Sequence, residues 1–131
     1  MFKGIGATQF IQLLESKVRN VNTPVLQQAL YVVVNVATGN YQHKSAILAS
    51  DVLIQALYNY ISHEQPSIRV AAVWAIINLT WQEEQESYER TEKLRVYGFQ
   101  DKLKQHLGDS DADVRGRVKT CLEHFEASMS E

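Results

Sequence analysis

The sequence predicts an all-α protein, an α-solenoid of stacked helical units, and three observations carry that prediction. Apolar residues recur at helical spacing, and no segment sustains the apolar/polar alternation of a strand. Glycines and prolines number six and two in 131 residues, too little turn punctuation for a sandwich or barrel. The chain also repeats itself at intervals of 43 to 46 residues. With 45% hydrophobic residues it can bury a core, which excludes intrinsic disorder.

The pattern predicts helices over 7–18, 24–38, 41–49, 51–62, 66–81, 84–97, 99–107 and 111–127. Thr23 is placed to cap the second helix, with Pro24 at the first helical position, where its missing N–H costs nothing. Pro66 opens the fifth in the same way. Gly39-Asn40, Gly98 and Gly108 stand where left-handed C-terminal turns are expected, and Asp109 or Asp111 can cap the last helix. In the sixth, Glu86/Arg90 and Glu89/Lys93 are four residues apart and mark a solvated face.

A displacement of 43 residues sets Phe10 on Leu53, Leu14 on Leu57, Val25 on Ile68, Ala29 on Ala72, Val33 on Ile76 and Asn35 on Asn78. A further displacement of 46 carries Ile68 to Val114, Ala72 to Val118, Ala75 to Cys121, Ile76 to Leu122 and Leu79 to Phe125. Core positions recur while surface positions drift. The chain therefore divides into a partial unit over 1–38, a full unit over 39–81, a C-terminal capping unit over 82–127 and a tail over 128–131.

Composition narrows the function classes. Thirteen basic against fifteen acidic residues give a net charge of −2, so nothing favours nucleic acid or a membrane surface. No apolar run approaches the ~20 residues that span a bilayer. Cys121, the single cysteine, permits no internal disulfide and falls in the core register of Ala75, where a buried, inert thiol is expected. A reducing compartment follows, cytoplasmic and nuclear. The sequon Asn78-Leu79-Thr80 lies within an apolar helix and reads as a chance match. His43, His63, His106 and His124 fall in separate segments without metal-ligand spacing, and Gly4-Ile5-Gly6 follows no strand, so it is not a phosphate loop. No catalytic residue, metal, cofactor or small-molecule substrate is expected.

The segments VLQQALYVVVNVATGN and SIRVAAVWAIINLTW resemble the third helices of armadillo repeats, and NYQHKSAILASDVLIQALYNYIS the first and second helices before them. The resemblance implies a right-handed solenoid of one partial plus two full repeats. A narrower resemblance, carried by RVAAVWAIINLTWQEEQESYERTEKLRVYGFQDKL and most specifically by its linker Gln82 to Arg90, is to the armadillo subunits of CTLH (GID) ubiquitin ligases. It implies a protein-binding scaffold in a protein-degradation complex. Its partners would be the substrate-receptor and scaffold subunits, the receptor held by an extended tail in the concave groove.

Independently of the resemblance, Trp74, Asn78 and Trp81 share a stripe beside the core positions of their helix. Tyr31, Asn35 and Thr38 are their register mates on one side, Thr120, His124 and Ala127 on the other. An extended peptide crossing helices finds no sheet edge for its backbone, and an Asn carboxamide offers both donors and an acceptor. A flanking Trp or Tyr supplies an apolar wall with a polar handle. The candidate groove residues are Gln28, Tyr31, Asn35, Trp74, Asn78, Trp81, Arg117 and His124, with Arg117 placed to receive a ligand carboxylate. Each has a plainer reading: the Asn residues as backbone ties between repeats, Trp74 as core, and the charges of the last unit as a solubilising face. Two alternatives stay open. A nuclear-import adaptor of the importin-alpha kind shares the Trp-x-x-x-Asn spacing, but reading a basic signal needs carboxylates, which Pro24 to Thr38 and Pro66 to Trp81 lack while Arg69 adds positive charge. The other is a purely structural end cap of a longer solenoid.

Overall fold

A computed structural model describes residues 7–19, 22–81 and 87–129. They form α1 (Ala7–Val18), α2 (Thr23–Ala37), α3 (Tyr41–Leu48), α4 (Asp51–Tyr60), α5 (Pro66–Leu79), α6 (Ser87–Tyr97), α7 (Phe99–Lys104) and α8 (Ala112–Met129), and no strand is present among the described residues. Residues 82–86, which hold most of the linker expected to be distinctive, lie outside the described set, as do Gly4-Ile5-Gly6 and the predicted start of the sixth helix at 84.

Short polar residues start four of these helices. Asn22, Asn40 and Ser50 each accept a hydrogen bond from the backbone N–H three residues on, capping α2, α3 and α4. The cap of α2 is thus Asn22, one residue before the expected Thr23, and Pro24 follows inside the first turn. Asp111 Oδ1 accepts from the N–H groups of Asp113 and Val114 and caps α8, while Asp109 accepts from the N–H of Asp111. Of the three glycine turns, only Gly98 is left-handed, at φ 108°. Gly39 is needed for space instead: a Cβ there would collide with the His43 ring.

The three long helices α2, α5 and α8 stack side by side, with α5 in the middle. Of α5, Ile68, Ala71, Ala72, Val73, Ala75, Ile76 and Leu79 are fully buried. Helical geometry divides them: Ile68, Ala71 and Ala75 share the side on which Asn78 reaches α2, and Val73 and Ile76 the side on which Thr80, just past the helix, reaches α8. The small residues on the α2 side let the helices approach closely. Tertiary packing of this kind, more than propensity, holds the short helices in place.

Candidate functional site

On α5, whose faces are otherwise covered, Trp74 stands out at 38% exposure. A tryptophan on an apolar helix would ordinarily be core, and this one keeps part of its ring in solvent, on a side of α5 between the α2 and α8 contacts. Trp81, just beyond the helix, is 43% exposed on the same side, and Asn78 is half-buried between them. On α2, Tyr31 is half-buried with its hydroxyl accepting from Gln27 Nε2 at 2.8 Å, and Asn35 is exposed.

From α8, Arg117 lays its guanidinium over the Trp74 ring, 4.7 Å from the centroid, while its Nε donates to Asp113 Oδ1 at 2.9 Å. His124 meets Trp81 edge to face at 5.6 Å and shares a 2.9 Å hydrogen bond between its Nδ1 and Thr80 Oγ1. Burial pushes the His124 imidazole below its ordinary pKa, against the smaller opposing effects of Glu123 and a hydrogen bond to the Ile77 backbone. Histidine is therefore neutral here at pH 7.

Asn78 does the plainer work as well: its Nδ2 donates to the Val34 carbonyl of α2 at 3.1 Å. The bond recurs one repeat on, where His124, the register mate of Asn78, bonds to the Ile77 backbone, the register mate of Val34. Asn78 and His124 thus tie α5 and α8 each to the long helix before it, while Asn35 on α2 is exposed. Asn78 keeps its carboxamide oxygen for another donor.

Gln28, exposed on α2 and the register mate of Arg117, lines an open cleft of about 560 Å³ at the α1/α2 end, with Phe10, Leu13, Val25 and Val32. Arg69 does not add charge to the stripe. It is 8% exposed, donates to the carbonyls of His63 and Glu64, and pairs with Asp109 at 2.8 Å.

That pair belongs to a network sequence reasoning missed. Ser62 Oγ lies 2.9 Å from His106 Nε2, and His106 Nδ1 lies 2.8 Å from Asp109 Oδ2. The connectivity is that of a hydrolytic triad. Its electrostatics differ, because the other Asp109 oxygen is held by Arg69 and the carboxylate charge is already matched. Burial would raise the Asp109 pKa, but hydrogen bonds from the Asp111 backbone, His106 and Arg69, with the Arg69 charge, bring it down to about 2. The network clasps the α4–α5 turn to the α7–α8 turn. Only the recurrence of arginine at 69 and 115 could have signalled it; Arg115 donates to the Asp109 carbonyl at 2.7 Å.

Cys121 is fully buried and its thiol is pushed up by burial, despite a hydrogen bond from Thr80. Among the described residues no group of His, Cys, Asp and Glu could hold a metal ion, and no helix is long and apolar enough to cross a membrane.

Stacked three-helix units with a recurring third-helix ladder have counterparts among known proteins. The chain is 37% identical over 103 residues to Armadillo repeat-containing protein 8 of Danio rerio, and 34% identical over 103 residues to that of Mus musculus. The chain belongs to the armadillo-repeat family. Each match covers 79% of this chain and 15% of the relative, so the chain spans a small part of the curated relatives it matches. Its fold is similar to that of a designed armadillo repeat protein in complex with the peptide (KR)4, with a TM-score of 0.78, 19% identity and coverage of 91% of this chain and 50% of that one. A second designed armadillo repeat protein gives 0.74 at 18% identity, with the same coverage. No protein-family model matches. The armadillo fold is that of a protein-binding repeat scaffold.

Proposed function

We propose that this armadillo chain binds an extended peptide segment of a protein partner along the stripe formed by α2, α5 and α8, as a non-catalytic scaffold. The observation that carries the reading is the exposure of Trp74 on a helix whose other faces are buried. Leaving a large apolar ring in water is unfavourable by roughly 25 cal/mol per Å² of exposed apolar area, and a ligand that covers it recovers that term. Asn35, exposed, and the carboxamide oxygen of Asn78 are available to a peptide backbone on the two rungs beside Tyr31 and Trp74.

The partner follows from the narrower resemblance: the tail of the substrate-receptor subunit of a ubiquitin ligase, with this chain joining receptor to scaffold. Titrating a peptide of that tail into the whole chain by calorimetry tests the assignment. Trp74→Ala is expected to weaken binding by about tenfold or more, as hot-spot aromatics do, with the circular dichroism spectrum unchanged. Equal affinity in the variant would place the ligand elsewhere. Trp74 is a cleaner probe than Asn78, which also holds α5 to α2.

A further inference from the structure

We infer that Arg117 fixes the charge preference of the stripe: it occupies the face of Trp74 that a ligand cation would take, and so selects a peptide carrying an aspartate or glutamate side chain at that rung. The inference rests on the groove reading above and adds to it the chemistry of the ligand.

An indole face within about 6 Å of a cation is a cation site, and Trp offers the best one. Here the protein fills it from its own α8, with the Arg117 guanidinium carbon 4.7 Å from the Trp74 centroid. A Lys or Arg of an incoming peptide would meet a like charge where it needs a bare ring. Of the three helices of the stripe, α2 and α5 contain neither Asp nor Glu, and on α8 Asp113 is already bonded to Arg117 while Glu123 and Glu126 stand at the register of Ile77 and Thr80, on the outer side of the stack. Arg69, the one cation of α5, is turned away into its pairing with Asp109.

The same arginine is well placed for a carboxylate. Asp113 is bonded to it at Nε, one edge of a planar fork that can also offer parallel N–H donors to an anion. The Asp113 side chain is 60% exposed, and an exposed i, i+4 pair of this kind is weak enough for a ligand carboxylate to share or displace. Stacking on Trp74 holds the guanidinium in one orientation before the ligand arrives. Neutral His124 adds no second cation beside it. Asn78 lies one turn beyond Trp74 and His124 two turns beyond Arg117, so the polar positions a peptide backbone would use stand beside the arginine, which suits a side-chain carboxylate.

Acetylated and amidated octapeptides (Ser-Glu)4, (Ser-Gln)4 and (Ser-Lys)4, labelled for fluorescence anisotropy, test this against the whole chain at low salt and up to millimolar concentration. (Ser-Glu)4 is expected to bind at least tenfold more tightly than (Ser-Gln)4, with (Ser-Lys)4 weakest. In Arg117→Ala the preference of (Ser-Glu)4 over (Ser-Lys)4 should invert, because the Trp74 face is bared and Asp113 released. Arg117→Lys should keep only part of the selectivity, having the charge without the flat stack. Wild-type protein that binds (Ser-Lys)4 as tightly as (Ser-Glu)4, or an order unchanged in Arg117→Ala, overturns the role of Arg117 and leaves the groove standing. Binding of (Ser-Gln)4 only when its C-terminus is a free carboxylate overturns the side-chain assignment. If no peptide binds wild type or variant, the groove reading falls with it.

Discussion

Asn35 and Asn78 share one register position and differ in what they do. Asn78 donates across to Val34, whereas Asn35 is exposed on α2. Asn78→Ala is therefore expected to cost about 1 kcal/mol of folding stability, the usual net worth of such a bond, and Asn35→Ala under about 0.5 kcal/mol, measurable by urea denaturation. The periodicity reveals that the two positions correspond; it does not reveal which of them has a neighbour to bond. A second residue-scale expectation concerns pH. Asp109 titrates near 3.9 when unfolded and about 2 when folded, so its contribution is fully present above the unfolded value and is lost as pH falls from about 4 through 2. Denaturant midpoints taken from pH 5 to pH 2 should fall more steeply for wild type than for Asp109→Asn. Cys121, buried with its thiol pushed up, should react with a disulfide reagent only as fast as the protein opens, and at once in denaturant.

At the scale of elements, α6 shows what local spacing leaves out. Glu89 and Lys93 are exposed as expected, Glu86 lies outside the described residues, and Arg95 pairs with Glu92 inside the helix, but the cations of α6 also reach other helices. Arg90, only 4% exposed, donates Nε to the Leu79 carbonyl at the end of α5. Lys93 donates Nζ to the Leu48 carbonyl at the end of α3, and Arg95 donates to the Phe125 carbonyl of α8 while lying over its ring. Helix C-termini leave carbonyls without intrahelical partners and carry partial negative charge, so cations placed there satisfy both. Replacing Arg90 by Met should cost about 1.5 to 3 kcal/mol, because a charged bond is lost and a buried carbonyl is left bare. Lys93→Met, at an exposed position, should cost less, and equal costs in thermal unfolding would contradict this division. Local spacing could not reveal these bonds, since each spans 11 to 45 residues of sequence. Helix existence and order, by contrast, were legible from apolar periodicity and caps, within a residue or two at most ends.

For the whole molecule, the repeat predicted the stack of α2, α5 and α8, because a period constrains every copy of a face at once. It also made the charges of the last unit expected as a solubilising face, and the register shows how the two ends of the stack come to differ. Leu30, Val34 and Ala37 of α2 correspond to Val73, Ile77 and Thr80 of α5, all buried, and then to Lys119, Glu123 and Glu126 of α8, all exposed. That end is finished in charge. The opposite face runs the other way: Ile68, Ala71 and Ala75 are covered by α2, whereas their mates Val25, Gln28 and Val32 border the open cleft beside Leu13, which is 51% exposed. A pair of identical substitutions at register mates separates burial from sequence. Ile68→Glu places an unpaired carboxylate in the α2–α5 interface and should unfold the protein or cost more than about 4 kcal/mol. Val25→Glu puts the same group at a position 36% exposed, and its midpoint in urea should move by less than about 0.5 kcal/mol. Equal destabilisation by the two would mean that the α1/α2 face is covered in solution, and sedimentation of the wild-type chain would then show association through it.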